Sequence, residues 1–276
     1  MTDRYAVIGN PIGHTKSPLI HGLFAQSTGQ DIAYTAIEGA TSGPHDLAAA
    51  VTSFRDSGGM GMNVTAPFKL LAFDLATDRF ERARLAGATN ALKFEGDRIL
   101  AENFDGVGLL RDIQHNLGVQ FAGKRVLLLG AGGAARGALM PFLSARPADL
   151  VIANRDVVKA QALAGSMASH GCVAGCGYEE LGGQTFDIVI NATSASLRGE
   201  LPPVPASVLR KAGLAYELAY GKGLTPFLAL ARNAGAAKVA DGVGMLVEQA
   251  AEAFAWWRGV RPDTQAVIER LTVPLV

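Results

Sequence analysis

The sequence predicts an α/β protein of two domains. Short apolar runs alternate with amphipathic stretches along the chain, the pattern of strands and helices around a largely parallel sheet. A glycine-rich turn, Gly130-Ala131-Gly132-Gly133-Ala134-Ala135, follows the apolar run Val126-Leu127-Leu128-Leu129 and opens a helical stretch. The 276 residues suffice for two modest domains, each with its own core.

The elements follow in order. Tyr5 to Gly9 reads as a short buried strand ending at glycine. Ser17-Pro18 reads as a helix start, Ser as N-cap and Pro at the first helical position, and Gly29 as its stop. Ile32 to Ile37 reads as a strand and His45 to Ser57 as a helix. Gly61 to Thr65 is a further strand end, with Pro67 opening a helix behind it. A second unit starts near Asp105, with later strands over Phe186 to Ile190, Leu214 to Ala219 and Lys238 to Ala240. Met245 to Arg258 places Leu246, Ala250, Phe254 and Trp257 on one helical face, so Trp256 and Trp257 read as packing residues. The expected division is 1–104, 105–242 and a C-terminal helical segment, 243–276, that packs back on the first domain.

The glycine turn reads G-x-G-x-x-A at a strand-to-helix junction, where a dinucleotide's pyrophosphate can rest on free backbone N–H groups. This is a Rossmann-type arrangement, with Gly130, Ala131, Gly132, Gly133 and Ala134 as cofactor-binding candidates. The next strand, Asp149 to Ala153, ends at Asn154-Arg155-Asp156. An NAD-selective site usually carries an acidic residue there to grip the ribose 2′-hydroxyl. Arg155 instead suits a 2′-phosphate through charge-assisted hydrogen bonds, and Lys159 adds a second positive charge one turn on. Asp156 either repels such a phosphate or caps the following helix. The balance favours NADP.

Lys and Arg number 25, as do Asp and Glu, so no net charge points to nucleic acid or an anionic membrane surface. No apolar run approaches the length of a membrane span, and the N-terminus lacks a signal-peptide pattern. The expectation is a soluble, cytoplasmic protein. Two thiols, Cys172 and Cys176, cannot by themselves fill a tetrahedral zinc site, and the five histidines are scattered, so no metal is indicated. A disulfide fits the spacing of the two thiols, but a cytoplasmic location argues for the reduced form.

Polar residues cluster at the expected ends of first-domain strands. They lie in Gly13-His14-Thr15-Lys16-Ser17, Asn63-Val64-Thr65-Ala66-Pro67-Phe68-Lys69, Gly87-Ala88-Thr89-Asn90 and Asn103-Phe104-Asp105-Gly106. Singly, each has a structural explanation: caps at Thr15 and Ser17, a turn at Asn90, a solvated cation at Lys69. Together they suit a small, polyhydroxylated, anionic substrate. With Asn191-Ala192-Thr193-Ser194 and Asp241-Gly242-Val243-Gly244-Met245-Leu246, these motifs resemble the shikimate dehydrogenase family nearly end to end.

The resemblance implies an N-terminal substrate domain, a Rossmann-type NADP domain, and interconversion of 3-dehydroshikimate and shikimate toward chorismate and the aromatic amino acids. By matched position, Lys69 and Asp105 are the catalytic pair. Thr15 and Ser17 hold the substrate carboxylate. Thr65, Asn90, Asp105 and Gln249 read the ring hydroxyls, and Tyr220 closes over the same site. Leu218 and Gly242 match positions that approach the nicotinamide. Burial of Lys69 favours its neutral amine, whereas the Asp105 charge favours the ammonium.

Three residues depart from the family pattern. Thr15 replaces Ser, which keeps the hydroxyl and adds a methyl. Phe104 replaces Thr beside Asp105, and Asp156 stands where NADP-specific members more often have Thr. The rival within the family is a quinate/shikimate dehydrogenase using both NAD and NADP. The rival from another class is a catalytically silent NADP-sensing module, which predicts loss of the Lys or Asp. The implied partner is the small-molecule substrate, on a monomer or homodimer.

Overall fold

The computed structural model describes residues 2–41 and 43–276. The chain folds as two compact units, Met1–Gly108 with Val247–Val267, and Leu109–Leu246 with Ile268–Val276.

The first unit runs β1 (Asp3–Gly9), α1 (Ser17–Thr28), β2 (Ile32–Glu38), α2 (Pro44–Asp56), β3 (Gly59–Val64), α3 (Lys69–Leu75), β4 (Asp78–Arg79), α4 (Glu81–Ala86), β5 (Ala91–Glu95) and β6 (Arg98–Glu102). Its six strands are ordered β2-β1-β3-β5-β6-β4. The sheet is mixed rather than largely parallel. β1 pairs in parallel with β2 and β3, but β5 is antiparallel to both β3 and β6. The physical reason is the tight turn at Gly96-Asp97, with Gly96 at φ +61°, which joins β5 to β6 as a hairpin. Ala6, Ile8, Met62, Val64 and Leu92 from the strands pack with Leu47 and Val51 of α2 and with Phe68.

Two helix starts differ from expectation. Lys16 takes the cap position of α1 with helical dihedrals, Ser17 is the first helical residue, and no side-chain cap forms. The Thr15 hydroxyl instead accepts the Ser17 N–H at 3.3 Å. Pro67 lies in a turn closed by the Phe68 N–H on the Thr65 carbonyl (3.0 Å), so α3 begins two residues later, at Lys69. The stop of α1 is as expected: Gly29 is left-handed at φ +65°, and its N–H returns to the Ala25 carbonyl.

The second unit takes over at the end of α5 (Asp105–Arg111), then runs β7 (Arg125–Leu129), α6 (Gly133–Ser144), β8 (Asp149–Ala153), α7 (Val157–Met167), β9 (Val173–Cys176), β10 (Ile188–Asn191), β11 (Leu214–Glu217), α8 (Pro226–Asn233) and β12 (Val239–Asp241). All six strands are parallel, in the order β12-β11-β10-β7-β8-β9. Parallel strands covered on both faces must be apolar throughout, and Leu127, Leu129, Val189 and Ala215 are fully or nearly fully buried. The order reverses between β7 and β10, which opens a crevice at their carboxyl ends. β9 escapes a reading by composition because Val173-Ala174-Gly175-Cys176 has one bulky residue and sits on the sheet edge. Cys172 is exposed and Cys176 buried, both as free thiols; burial raises the Cys176 pKa, aided by Glu180 and Glu179.

Helix α9 (Val243–Arg258) is followed by α10 (Gln265–Leu271). From Val247 onward α9 belongs to the first unit, where it covers a second apolar face formed by Tyr5, Ala91 and Phe104. Phe254 is fully buried. Trp257 stacks on Tyr5 (ring centroids 4.8 Å apart) and donates its indole N–H to the Leu92 carbonyl at 3.0 Å. Arg261 binds Glu248 and Glu252, each at 2.5 Å, and the Thr264 hydroxyl donates to Glu248 at 2.6 Å, fastening the following segment to the helix. Among the described residues no helix is long and apolar enough to cross a membrane.

The closeness of α9 to the sheet makes a prediction. A Cβ on Gly61 would lie 2.6 Å from the Trp257 indole nitrogen and 2.8 Å from the Leu92 carbonyl oxygen. Gly61→Ala is expected to lower unfolding free energy by about 1–3 kcal/mol through overpacking, read from denaturant midpoints. An unchanged midpoint would show that α9 yields freely.

Candidate functional site

In the first unit the charged centre sits at two helix starts. Lys69 opens α3 and Asp105 opens α5. Lys69 Nζ donates to Asp105 Oδ2 at 2.5 Å, the two side chains being 33% and 15% exposed. The other carboxylate oxygen, Oδ1, accepts from Asn90 Nδ2 at 2.8 Å. Asn90 also donates to Gln249 Oε1 at 3.0 Å and accepts the Phe104 N–H at 2.9 Å. The Asn103 side chain accepts the Asp105 N–H at 3.1 Å. The Thr89 N–H donates to the Lys69 carbonyl at 3.0 Å, which ties the Gly87–Asn90 turn to the start of α3. Gln249 comes this close because Gly108 presents no side chain: a Cβ there would stand 2.6 Å from the Gln249 nitrogen.

Thr15 and Ser17 form a hydroxyl pair, Thr15 Oγ1 donating to Ser17 Oγ at 3.2 Å. The Tyr34 hydroxyl, beside Ser17, donates to Asn63 Oδ1 at 2.7 Å, and Asn63 Nδ2 donates to the Asn90 carbonyl at 3.1 Å. A polar chain thus runs from the hydroxyl pair through Tyr34 and Asn63 to Asn90, Asp105 and Lys69. Tyr34 and Asn63 were not among the sequence candidates. Asn63 stands in the same short motif as Thr65, which is a usable signal; Tyr34 sits in an ordinary strand alternation and gives none. The Thr65 side chain is half-buried and makes no hydrogen bond among the described residues.

Phe104 turns its bulk into the core. It is 3% exposed, edge-on to Trp256 at 5.7 Å, with the Arg82 guanidinium 5.3 Å over its ring. The substitution beside Asp105 is therefore absorbed by packing against α9, and Asn90, Asn103 and Asp105 keep their hydrogen bonds.

In the second unit the candidate cofactor residues line the carboxyl ends of the strands. Gly130 follows β7 at φ +105°, where a side chain is strained. A Cβ on Gly132 or Gly133 would meet nothing within 4 Å, so the rim at the start of α6, Ala134 included, is open to a ligand. The first-turn N–H groups of α6 have no intrahelical partner, which suits an anion. These features fit a dinucleotide pyrophosphate. After β11, the Leu218 N–H donates to the Asn191 carbonyl at 3.1 Å. The Leu218 carbonyl oxygen lies 2.2 Å from where a Gly242 Cβ would be. Tyr220, two residues beyond Leu218, is 43% exposed.

After β8, Asp156 caps α7, accepting the Lys159 N–H at 3.3 Å, and pairs with the Lys159 ammonium at 3.5 Å. Asn154 Nδ2 donates to the Asp156 carbonyl at 2.9 Å. Arg155 is exposed, with no hydrogen bond or ion pair among the described residues. It borders a cleft of about 520 Å³ lined also by Tyr178, Glu179, Pro203 and Pro205. The carboxylate of Asp156 is thus committed to its own helix, and Arg155 is a cation with no such partner among the described residues.

Comparison with known proteins gives matches in both units. Residues 7–92 match the shikimate dehydrogenase substrate-binding domain, 112–198 the shikimate/quinate 5-dehydrogenase domain, and 242–272 the shikimate 5-dehydrogenase C-terminal domain. The chain is 55% identical over 271 residues to a shikimate dehydrogenase (NADP(+)) of Nitrosospira multiformis, covering 98% of each chain. It is 67% identical to the crystal structure of an Ael1 enzyme from Pseudomonas putida, with a TM-score of 0.95 and full coverage of both chains. It is 28% identical to the Thermus thermophilus shikimate 5-dehydrogenase solved with NADP(H) and shikimate, with a TM-score of 0.85 over 97% of this chain and 98% of that one.

His21 provides a test of the packing beneath the hydroxyl pair. Its ring stacks on Tyr34 at 4.2 Å, and burial drives its pKa from 6.5 to about 3, against a smaller opposing effect of Asn63. The folded state holds the ring neutral, whereas the unfolded chain takes up a proton below 6.5. Stability therefore falls as pH drops from 6.5 toward 3, and His21 accounts for about 2 kcal/mol of loss by about pH 5. His21→Phe should lose correspondingly less stability than wild type between about pH 7 and about pH 5 in urea unfolding. Equal losses in the two proteins would show that His21 is not held neutral.

Proposed function

The chain belongs to the shikimate dehydrogenase family, and from that premise we propose that it catalyses the reversible NADP-linked reduction of 3-dehydroshikimate to shikimate. The observation that carries the reading is the Lys69–Asp105 pair, held on both carboxylate oxygens by Lys69 and Asn90 in the unit matching the family's substrate-binding domain. A silent binding module would have no need of a lysine so placed.

Bound NADPH supplies the hydride. The chain's own groups manage the charge and the fit. Thr15 and Ser17 offer two hydroxyls to the substrate carboxylate. Thr65, Asn90, Asp105 and Gln249 bind the ring hydroxyls, and Tyr220 covers the ring. As the ketone is reduced, negative charge gathers on its oxygen, and an ammonium proton of Lys69 neutralises it as it forms. Asp105 accepts a hydrogen bond from Lys69 throughout, which fixes the direction of the ammonium and stabilises it. In the oxidation of shikimate, neutral Lys69 takes up the hydroxyl proton. The glycine rim Gly130–Ala134 holds the pyrophosphate, Asn154, Arg155 and Lys159 hold the 2′-phosphate, and Leu218 and Gly242 flank the nicotinamide. This reading places the protein in the cytoplasm, as a monomer or homodimer, in the synthesis of chorismate and the aromatic amino acids.

The first test is an initial-rate comparison of shikimate and quinate, each with NADP and NAD. Turnover is expected with shikimate and NADP, with NAD slower by at least about tenfold, since one charge-assisted contact is worth that much, and with quinate slower because the Thr15 methyl tightens the pocket against its extra hydroxyl and puckered ring. Comparable rates with NAD would overturn the assignment of Arg155, and comparable rates with quinate would move the protein to the broader branch. Lys69→Ala should lower kcat by about 10²–10⁴-fold with little change in KM. A rise in KM with kcat preserved would assign Lys69 to substrate positioning instead.

A further inference from the structure

Glu217 ends β11 and is fully buried. Its Oε2 accepts from Asn191 Nδ2 at 3.0 Å, from the Ser196 hydroxyl, and from the Thr225 hydroxyl at 3.4 Å. Its Oε1 accepts the Ala219 N–H at 3.4 Å. These partners are all neutral. Burial pushes the carboxyl above its usual range, and the hydrogen bonds from Ser196, Asn191, Ala219 and Thr225 oppose it. A carboxylate in such a place is costly where packing alone is needed, because an apolar side chain would fill the same volume without desolvating a charge.

The partners show what the group holds. Asn191 uses its own side-chain oxygen to accept from the Thr193 N–H (3.1 Å) and hydroxyl (2.7 Å), which shapes the loop after β10. In that loop the Ala192 carbonyl oxygen and the Thr193 methyl stand 3.2 Å and 3.3 Å from where a Gly130 Cβ would be, so they wall the glycine turn. Ala219 follows Leu218, whose carbonyl lies against Gly242. Thr225 caps α8, accepting the Leu228 N–H at 3.3 Å. One carboxylate thus joins the loops after β10 and β11, which border the crevice at the β7–β10 reversal.

We propose that Glu217 is a positioning residue of the cofactor site, its buried carboxylate clamping the Asn191–Ser196 loop to the Leu218–Thr225 segment so that the wall at the glycine turn and the wall at Leu218 keep their spacing. The proposal rests on the NADP reading above. An amide cannot replace the carboxylate. With its oxygen toward Asn191, its NH2 confronts the Ala219 N–H; turned over, it confronts the Asn191 NH2. Hydroxyls can reorient to accept, but these two donors cannot.

The test is NADPH binding by Glu217→Gln, followed by nucleotide fluorescence, with KM for 3-dehydroshikimate measured at saturating NADPH. The NADPH dissociation constant should rise on the order of tenfold, the effect of losing one hydrogen bond to a charged group, while KM for 3-dehydroshikimate stays within about twofold. A folded Glu217→Gln protein with wild-type NADPH affinity overturns the proposal, as does an equal rise for both ligands. If Glu217→Gln does not fold, Ser196→Ala removes a single donor and decides the matter. A rise of about threefold or more in the NADPH constant supports the clamp, and no rise overturns it. A wild-type protein that binds no NADPH overturns the NADP reading itself, an outcome separate from a variant that matches an NADPH-binding wild type.

Discussion

The contact between Lys69 and Asp105 is the constraint around which the first unit is arranged. Two charged side chains on separate helix starts meet at 2.5 Å, and each start has to be fixed from elsewhere in the fold. The turn at Thr65–Phe68 delays α3 so that Lys69 is its first residue, and the Thr89 N–H holds the Lys69 carbonyl. Asp105 is fixed by the Asn103 side chain on its backbone and by Asn90 on its carboxylate. Asn90 is the keystone of this set, its oxygen accepting Phe104 and its amide donating to both Asp105 and Gln249. Removing that amide would take away three hydrogen bonds at once, and leaving the buried Phe104 N–H unmet would alone cost about 1–3 kcal/mol. The polar cluster is therefore cooperative, and its members lose precision together.

How much of this was legible follows from how local each feature is. The Gly29 stop, the glycine turn after β7 and the Phe254–Trp257 face of α9 depend on a few neighbouring residues, and all could be read from order alone. The β5–β6 hairpin was not read although its signal is local, the Leu92-Lys93-Phe94-Glu95 alternation closing on Gly96-Asp97; the edge strand β9 carries no strong apolar alternation and pairs with β8 across the whole of α7. Ser17 looked like a cap because Ser-Pro is a common helix opening; Lys16 already has helical dihedrals, so the hydroxyl is released to face Thr15. The roles of Tyr34 and Glu217 were invisible for a related reason. Glu217 binds Asn191 from 26 positions away, and nothing in the spelling Tyr216-Glu217-Leu218 records that the carboxylate is enclosed.

Asp156 shows how a residue that looks adverse in sequence is resolved by its surroundings. A carboxylate beside a 2′-phosphate would oppose binding if its charge faced the ligand. Here it accepts a backbone N–H at the start of α7 and approaches the Lys159 ammonium, both of which compensate its charge. Arg155, one residue earlier, has neither kind of partner among the described residues. The order Arg-Asp therefore separates a capping anion from an exposed cation, and the sign of the local field depends on which of the two is occupied.

The two carboxylates in these sites differ chiefly in their access to water, and that difference suits opposite tasks. Asp105 pairs with a lysine that is one-third exposed, which in the proposed reaction leaves Nζ a path to solvent between turnovers. Glu217 has no exposed surface and is met by neutral donors, so it offers no route for a proton and gains rigidity from enclosure. In the two roles proposed, charge kept near water moves protons, and charge enclosed among hydrogen-bond donors fixes loops. On that reading a hydrated Glu217 would release its loops, and a sealed Lys69 would have no path to solvent.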